Sequence, residues 1–308
     1  MEKNKVIVIL GTTASGKTDL ALALAKKFNG EIISADSRQV YRGMDIGTGK
    51  ELEKFKIKDS RLKIQVIPYH LIDVVSPKAQ FSVARYQKLA YRAFDDILRR
   101  GKVPIVCGGT GLYIDAVTKG FKFGTLRIMN YELKKIRKKL DKMPLLQLLP
   151  RLRKIDLKTY RIIDKKNRRR IQRALEIYYE TGIPKSKQQH INPPPYEFFK
   201  IGITFPRDEL EKRILQRLEK RLQRGMASEV KKLHNHGVSW KKLESFGLEY
   251  RWVSRYVRGI ILREEMKENL LKDIIYFAKR QMTWFRRDET IHWIHKTKDA
   301  ERLTRRFL

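Results

Sequence analysis

The chain has 308 residues, 42% of them hydrophobic, so it can bury a large core and global disorder is excluded. It carries 69 Lys and Arg against 34 Asp and Glu, a net charge of +35 at pH 7. This excess indicates a long polyanionic partner, nucleic acid ahead of an anionic membrane, although a lysine-rich genome can account for part of it. The single cysteine, Cys107, excludes an internal disulfide and a cysteine zinc cluster.

The length allows one large α/β domain or a core with one insert. No secretory signal pattern precedes the first predicted strand, and no apolar run approaches the roughly 18 residues of a membrane span. We therefore expect a soluble, intracellular protein.

The first predicted element is an apolar run, Val6 to Leu10, that leads directly into the sequence GTTASGKT and a helical pattern. The spacing G-x-x-x-x-G-K-T between strand and helix is typical of a phosphate-binding loop. Its glycines let several backbone N–H groups surround one phosphate, and the helix dipole adds to the attraction. We expect Lys17 to reach outer phosphate oxygens and Thr18 to place its hydroxyl on Mg²⁺. The loop comprises Gly11, Thr12, Thr13, Ala14, Ser15, Gly16, Lys17 and Thr18.

A short strand at 31–34 precedes a polar stretch, residues 35–50, that holds three glycines and shows no regular period. Irregular segments beside a phosphate loop are typical of active sites. Within this segment Asp36 follows the strand directly, where a carboxylate can hold Mg²⁺ or accept a hydrogen bond from an N–H or O–H group. An Asx-turn or a helix cap explains the same residue equally well.

Further along, the strand-like segment 63–74 is interrupted by Pro68. Near its end, Asp73 is either a metal-side acid like that of an ATPase or a turn residue before the next helix. His70 has no second ligand at metal-binding spacing, so we interpret it as a hydrogen-bonding residue near the edge of the sheet.

A helix over about 82–100 is predicted by apolar residues that recur at spacings of three and four: Val83, Tyr86, Ala90, Phe94 and Ile97. A strand at 103–107 follows. Strands that alternate with helices predict a parallel sheet covered on both faces, and ligands of such sheets bind at the carboxyl ends of the strands. That rule places 11–18, 35–39 and 108–113 on one rim. Gly108 to Gly111 then forms either a second anion nest or a plain turn.

From about residue 121 the composition changes, and residues 121–190 carry 21 Lys and Arg against 6 Asp and Glu. The patterns in this part are helical, and three prolines at 193–195 close it. We therefore predict a P-loop NTPase-like α/β fold, with a core at 1–120 and 200–308 and an inserted basic helical subdomain at 121–199. The cluster at 167–173, at the start of a helix, favours contacts with a phosphate backbone.

The predicted elements of the second core segment are a strand at 201–205, a long helix after Pro206, a helix over about 263–287 and a closing strand at 292–295. One stripe of the long helix carries Arg213, Arg217 and Arg221. In the run 278–287 we interpret the aromatic residues as core, and we take Lys279, Arg280 and Gln281 as its polar part.

With these pieces together, the chain resembles the tRNA dimethylallyltransferase family, also called tRNA isopentenyltransferases or IPP transferases, in its bacterial form. The matching segments occur in order and span almost the whole chain: GTTASGKT (11–18), DSRQVYRGMDIGTGK (36–50), PYHLID (68–73), FSVARY (81–86), GGTGLYI (108–114), RRRIQRALEIYYETGIP (168–184) and AKRQMTWFR (278–286). The resemblance implies transfer of a dimethylallyl group from dimethylallyl diphosphate to N6 of adenine 37, beside the anticodon of tRNA.

The resemblance also implies roles for particular residues. The phosphate loop, with Lys17 and with Mg²⁺ on Thr18, would hold the diphosphate leaving group, and Arg217 would bind the same group. Asp36 would act as general base at the adenine N6, and Thr110 would contact substrate. The implied tRNA contacts are Asp36, Ser37, Arg38, Gln39, Arg169, Arg170, Ile171, Gln172, Arg173, Lys279, Arg280 and Gln281. The implied partners are the tRNA anticodon stem-loop and dimethylallyl diphosphate, with no membrane, and we expect a monomer.

Three positions depart from the family pattern: Thr12 stands in place of Pro, Gly49 in place of Ala and Phe277 in place of Arg. Two other functions fit the phosphate loop, a kinase of a small nucleotide-like substrate and a non-catalytic RNA-binding protein. The strand at 103–107 ends in Cys-Gly-Gly with no acidic residue, which disfavours ATP hydrolysis, and the charge of +35 disfavours a small-molecule kinase.

Overall fold

The structure, a computed structural model, describes residues 4–50, 52–58, 64–123, 130–187, 191–295 and 297–308. It divides into two compact units. The core unit comprises Met1–Thr118 and Pro194–Leu308, and the insert unit comprises Lys119–Pro193.

Within the described residues the strands are β1 (Asn4–Gly11), β2 (Gly30–Ser34), β3 (Lys56–Lys58), β4 (Ile64–Val66), β5 (Tyr69–His70), β6 (Val103–Gly108), β7 (Tyr196–Ile203) and β8 (Ile291–Ile294). Six of them form one sheet in the order β5-β2-β6-β1-β7-β8, and every neighbouring pair is parallel. The predicted α/β fold with a parallel sheet is confirmed.

The register of the sheet brings the carboxyl ends of its central strands to one rim. Leu10 of β1 lies opposite Gly108 of β6, and Ser34 of β2 lies opposite Cys107. The loops that follow these three strands therefore emerge side by side, as expected for a ligand site in a parallel sheet.

The helices of the described residues are α1 (Lys17–Lys27), α2 (Val83–Arg99), α3 (Gly111–Lys119), α4 (Asn130–Lys142), α5 (Leu145–Ile155), α6 (Leu157–Ile162), α7 (Arg168–Thr181), α8 (Arg207–Gln223), α9 (Met226–Asn235), α10 (Trp240–Ser245), α11 (Leu248–Val257), α12 (Arg263–Phe285) and α13 (Thr297–Phe307). Among these residues no helix is both long enough and apolar enough to pass through a membrane.

The central strands are buried on both faces because the successive side chains of β1 from Val6 to Leu10 are all apolar. In β1, Val6, Val8 and Leu10 pack with Phe94 of α2, whereas Ile7 and Ile9 belong to the opposite core beside α1. A third core joins the α8–α12 helices to the segment after β2, where Val40, Tyr41 and Met44 are buried. This third core attaches the C-terminal helices to the rim that carries the candidate site.

Helix α2 begins where the sequence predicts it. The Ser82 hydroxyl accepts a hydrogen bond from the backbone N–H of Arg85 at 3.2 Å, which caps the first turn. Four of the five predicted apolar residues are fully buried: Tyr86, Ala90, Phe94 and Ile97. The period of the sequence therefore identified the core face correctly.

The segment 63–74 does not form one strand, and its residue 63 lies outside the described residues. β4 pairs antiparallel with β3 in a separate two-stranded sheet, and β5 joins the main sheet beside β2. Pro68 separates the two strands, in keeping with its missing N–H.

The insert unit is helical and has a core of its own, to which α5 and α7 contribute Leu148, Leu152, Ile171 and Leu175. Its two ends are adjacent: Phe121 forms an isolated antiparallel bridge with Ile191. One predicted boundary is wrong. Residues 196–199, which we assigned to the insert, belong to β7, because their backbone pairs with β1 from Tyr196 onward.

Candidate active site

The phosphate-binding loop connects the carboxyl end of β1 with the first turn of α1. Ala14 and Gly16 have positive φ angles of 60° and 79°, which turn successive backbone N–H groups toward one side. The Lys17 ammonium donates a hydrogen bond to the carbonyl oxygen of Thr12 at 2.5 Å, so the loop is closed on itself. The arrangement is a preformed anion site at a helix N-terminus.

The Lys17 ammonium has lost much of its hydration. Its pKa is lowered to about 8, chiefly by burial and further by the Arg217 guanidinium, whereas Cys107 and Asp36 act in the opposite direction. A bound anion would favour the charged form again, because an opposite charge nearby raises the pKa of a lysine. The loop therefore favours a ligand that carries negative charge.

The arginine stripe predicted on α8 faces this loop. Arg213 donates to the carbonyl oxygen of Ala14 at 2.9 Å, and Arg217 donates to the hydroxyl of Thr13. Arg221 differs, because it is only 7% exposed and forms an ion pair with Glu249 at 2.9 Å. The stripe thus places two guanidinium groups at the phosphate loop and buries the third.

Asp36 caps the turn that follows β2. Its Oδ1 accepts hydrogen bonds from the backbone N–H of Arg38 at 2.7 Å and of Gln39 at 3.4 Å. The Asx-turn interpretation is therefore correct for this oxygen. The partners found for the carboxylate within the described residues all bond to Oδ1, which leaves Oδ2 for a ligand.

Residues 108–111 form a tight turn and not a second anion nest. None of Gly108, Gly109 and Gly111 has a positive φ angle, which an alternating nest requires. The glycines instead permit close packing: a side chain on Gly108 would collide with the Ala35 carbonyl, and one on Gly111 with Trp284. The Thr110 hydroxyl accepts the backbone N–H of Ser37 at 3.0 Å, which joins this turn to the Asp36 turn.

Two residues predicted to contact tRNA are largely buried. The side chain of Gln281, 7% exposed, accepts the N–H of Thr13 at 2.8 Å and donates to the carbonyl of Gly109 at 2.8 Å. Gln39, 8% exposed, accepts from the hydroxyls of Ser34 and Tyr69, both at 2.9 Å. Their amide groups connect the loops of the rim, and a tRNA contact at Gln39 and Gln281 stays a prediction.

The loops enclose a cleft of about 430 Å³ in the core unit. The sequence-predicted residues that line it are Thr13, Asp36, Ser37, Arg38, Thr110, Arg217, Arg280 and Gln281. Lining residues that sequence reasoning missed are Gly47, Thr48, Arg221, residues 245–251, Asp273, Ile274, Tyr276 and Phe277. For Gly47 and Thr48 the sequence signal was their position within the family segment 36–50.

Asp73 and His70 both have hydrogen-bond partners within the protein. Asp73 accepts a hydrogen bond from the buried Lys50 ammonium, which also donates to Tyr41 O at 2.7 Å and to Asp45 at 2.9 Å. His70 contacts the Glu31 carboxylate at 2.7 Å, as a hydrogen-bonding residue should, but toward the amino end of β2. Within the described part of the chain, no group of three or more His, Cys, Asp or Glu residues is placed to hold a metal ion.

The arginines in the first turns of α7, in the insert unit, differ in their partners. Arg169 and Arg170 are exposed. Arg173 pairs with Glu176 at 3.0 Å and Glu180 at 3.2 Å. The Ile171 side chain is buried in the core of the unit, and a tRNA contact at this residue stays a prediction.

The remaining predicted tRNA contacts differ in how free their side chains are. Gln172 donates a hydrogen bond to Asp141 at 3.1 Å within the insert unit. Lys279 and Arg280 are exposed on α12, and the Arg280 guanidinium lies over the Tyr276 ring at 4.7 Å. The aromatic residues of this run behave as core: Phe285 is buried, and Trp284 donates its indole N–H to Asp115 at 3.0 Å.

Comparison with protein-family models matches residues 39–288 to "IPP transferase" and residues 4–65 to "Isopentenyl transferase". Among curated proteins, tRNA dimethylallyltransferase 1 of Syntrophus aciditrophicus is 46% identical over 289 residues, covering 94% of this chain and 91% of that protein. The tRNA dimethylallyltransferase of Acetivibrio thermocellus is 42% identical over 297 residues, covering 95% and 92%.

Solved structures give the same result. The tRNA isopentenylpyrophosphate transferase of Bacillus halodurans aligns with a TM-score of 0.70 and 35% identity, covering 99% of this chain and 97% of that one. A eukaryotic dimethylallyltransferase acting on tRNA aligns with a TM-score of 0.75 and 28% identity, covering 92% of this chain and 70% of that one.

Proposed function

The chain belongs to the IPP transferase family, and from that premise we propose that it transfers a dimethylallyl group from dimethylallyl diphosphate to N6 of adenine 37 in tRNA. It is an enzyme of prenyl transfer that acts on tRNA. The observation that carries the residue assignments is the convergence of Asp36, Thr110 and Arg217 on the cleft beside the phosphate loop.

The phosphate loop is suited to a diphosphate leaving group. The loop N–H groups, the Lys17 ammonium and the Arg217 guanidinium would take up the negative charge that develops as the bond to the allylic carbon breaks. Charge arranged before the reaction is commonly the largest contribution to catalysis, because the protein need not reorganise in the transition state.

The carboxylate of Asp36 is the proposed general base. N6 of the adenine attacks the C1 carbon of the dimethylallyl group, the C1–O bond breaks, and the diphosphate leaves with the bonding electrons. The proton lost from N6 passes to Asp36, with Oδ2 as the acceptor because Oδ1 caps the turn. The Thr110 hydroxyl stabilises this turn through Ser37 and lies in the same cleft.

A magnesium ion fits the donor set. Thr18 offers one hydroxyl in the first turn of α1, and the diphosphate and water would supply the remaining hard oxygen ligands that Mg²⁺ prefers. When bound, the ion would neutralise charge on the leaving group. The protein residue that would hold it is Thr18.

For tRNA we propose contacts at the exposed cations Arg169 and Arg170 of the insert unit and Lys279 and Arg280 of the core unit. The adenine has to leave its stack to reach Asp36, as in other enzymes that modify a base within RNA or DNA. We propose that the enzyme acts as a monomer.

The proposal is tested with labelled dimethylallyl diphosphate, Mg²⁺ and an unmodified tRNA transcript with adenine at position 37. The expected product is tRNA heavier by one dimethylallyl group at that nucleoside, identified by mass spectrometry after nuclease digestion. A transcript with guanine at position 37 is the control. Folded protein that leaves both transcripts unlabelled would contradict the proposal.

A further inference from the structure

The Glu229 carboxylate, outside the cleft, binds the backbone of a loop that lines the cleft. Glu229 lies in the first turn of α9 and accepts hydrogen bonds from three consecutive backbone N–H groups. The distances are 2.9 Å from Asp45 and 2.5 Å from Ile46 to Oε2, and 3.1 Å from Gly47 to Oε1. Hydrogen bonds to an ionised carboxylate are about twice as strong as neutral ones. One side chain thus binds three successive N–H groups of the loop 45–49.

Tyr250 completes this clamp. Its hydroxyl donates to Oε1 of Glu229 at 2.8 Å, and the residue is 1% exposed. Its ring lies against Gly47 so closely that a Cβ atom on this glycine would be 2.8 Å from the phenol carbon. The same tyrosine therefore fixes the carboxylate by its hydroxyl and the loop by its ring.

The carbonyl side of the loop contacts an ion pair. Arg221, paired with Glu249 at 2.9 Å, donates to the carbonyl oxygen of Gly47 at 3.3 Å. Both polar groups of the Gly47 backbone thus have charged partners from the C-terminal helices. Gly47 and Thr48 in turn line the cleft together with Asp36 and Arg217.

We propose that Glu229 is a positioning residue for the transfer, acting through the loop 45–49 on the shape of the cleft. This inference rests on the proposed function. Glu229 does not line the cleft; its proposed effect is to keep Gly47 and Thr48 in place relative to the base at Asp36. Errors of about 1 Å in such positioning can cost about a hundredfold in rate.

The test substitutes Glu229→Gln, which keeps the side-chain shape but brings an NH₂ group against N–H or O–H donors. The single-turnover rate at saturating donor and tRNA is expected to fall at least about tenfold, while the Kd for tRNA stays within about twofold. Hydrogen exchange at residues 45–49 is expected to rise, with the rest of the core unit unchanged. Glu219→Gln is the matched control, since Glu219 pairs at 2.8 Å only with the partly exposed Lys267 among the described residues.

Tyr250→Phe is a second variant, which removes only the hydroxyl and serves should Glu229→Gln fold poorly. As with Glu229→Gln, its single-turnover rate is expected to fall and hydrogen exchange at residues 45–49 to rise, but both changes should be smaller. A rate within twofold of wild type in the folded variants, or increased exchange spread over the whole core unit, would overturn the positioning role. If wild type itself makes no product, the proposed function fails; active wild type with equally active variants rejects only this inference.

Discussion

At the scale of the residue, the two carboxylate oxygens of Asp36 have different surroundings. Oδ1 accepts from the N–H groups of Arg38 and Gln39, no hydrogen bond to Oδ2 is found among the described residues, and Asp36 lines the cleft. The structural and the chemical interpretations of this aspartate are therefore compatible, because each uses its own oxygen. A substitution that tests Asp36 as the general base therefore has to keep the hydrogen bonds that its Oδ1 accepts from Arg38 and Gln39.

Asp36→Asn is expected to keep the cap, because Asn and Asp are about equally good capping residues. It removes the proton acceptor, so the single-turnover rate should fall by about 10²–10⁴-fold, the usual contribution of a general base. Asp36→Ala should lose the same rate and also about 1 kcal/mol of stability. Single-turnover rates and denaturant unfolding measure the two effects; an active Asn variant would remove Asp36 from proton transfer.

The lowered pKa of Lys17 predicts that the free enzyme loses affinity for the donor in alkaline solution. Below pH 8 the ammonium is charged and pairs with the diphosphate; as pH rises through about 8 it becomes neutral and the attraction is lost. We expect donor affinity to fall up to about tenfold per pH unit above 8 and binding to take up a proton. Calorimetric titration from pH 7 to 9.5 in buffers of different ionisation enthalpy measures both.

Lys17→Arg provides the control for that pH dependence, since a guanidinium stays charged throughout this range. Its donor affinity, whatever its absolute value, should be independent of pH between 7 and 9.5. A decline in the arginine variant as steep as that of wild type would assign the titration to another group.

At the scale of the element, the turn between β6 and α3 depends on close packing. Gly108 approaches the backbone of Ala35, and the Thr110 hydroxyl binds Ser37, so the turn and the Asp36 segment form one rigid piece. Gln281 of α12 connects this piece to the phosphate loop through Gly109 and Thr13. Three stretches distant in sequence thereby share one set of hydrogen bonds.

Gly108→Ala is expected to destabilise the core unit by about 3 kcal/mol and to abolish activity, because its methyl group meets backbone that cannot move aside. Gly101→Ala is the control: nothing lies within 4 Å of its Cβ position, and only its φ of +67° opposes the change. That strain costs about 1 kcal/mol and should leave activity intact. Denaturant unfolding and the prenylation assay compare the two variants.

The start of α7 offers a similar comparison for the RNA contact. Arg169→Ala with Arg170→Ala removes two exposed cations, so the slope of log affinity for tRNA against log salt should decrease by about one to two. Arg173→Ala should change the slope less, because that guanidinium already pairs with Glu176 and Glu180. Filter binding between 50 and 300 mM salt measures both; equal slopes in all proteins would move the interface elsewhere.

At the scale of the whole molecule, the predictable features were those with a local signal. The phosphate loop follows from eight consecutive residues, and α2 follows from a cap at Ser82 and an apolar period. The rim follows from a general rule for parallel sheets, which the register of β1, β2 and β6 confirms. Each of these inferences needs only residues close together in the sequence.

The features that could not be predicted depend on distant partners. Glu229 is one of many surface-like glutamates until the fold brings it to Ile46, 183 positions away. Gln281 lies in a basic run that suggests a contact with RNA, yet its side chain is buried and forms hydrogen bonds with Thr13 and Gly109. The arginine stripe of α8 was visible, but the burial of Arg221 depends on Glu249 of another helix. Charge alone could not distinguish a ligand contact from an internal pair.

Because the two ends of the insert unit are adjacent, the length of the insert can change in evolution without disturbing the core unit. Phe121 pairs with Ile191, and Asn192 donates to the Gly120 carbonyl at 2.7 Å, so the segment leaves where it enters. A short hairpin can replace everything between these residues without stretching the backbone on either side. The insert unit can therefore be lengthened, shortened or exchanged, in evolution or by design, while the fold of the core unit stays the same.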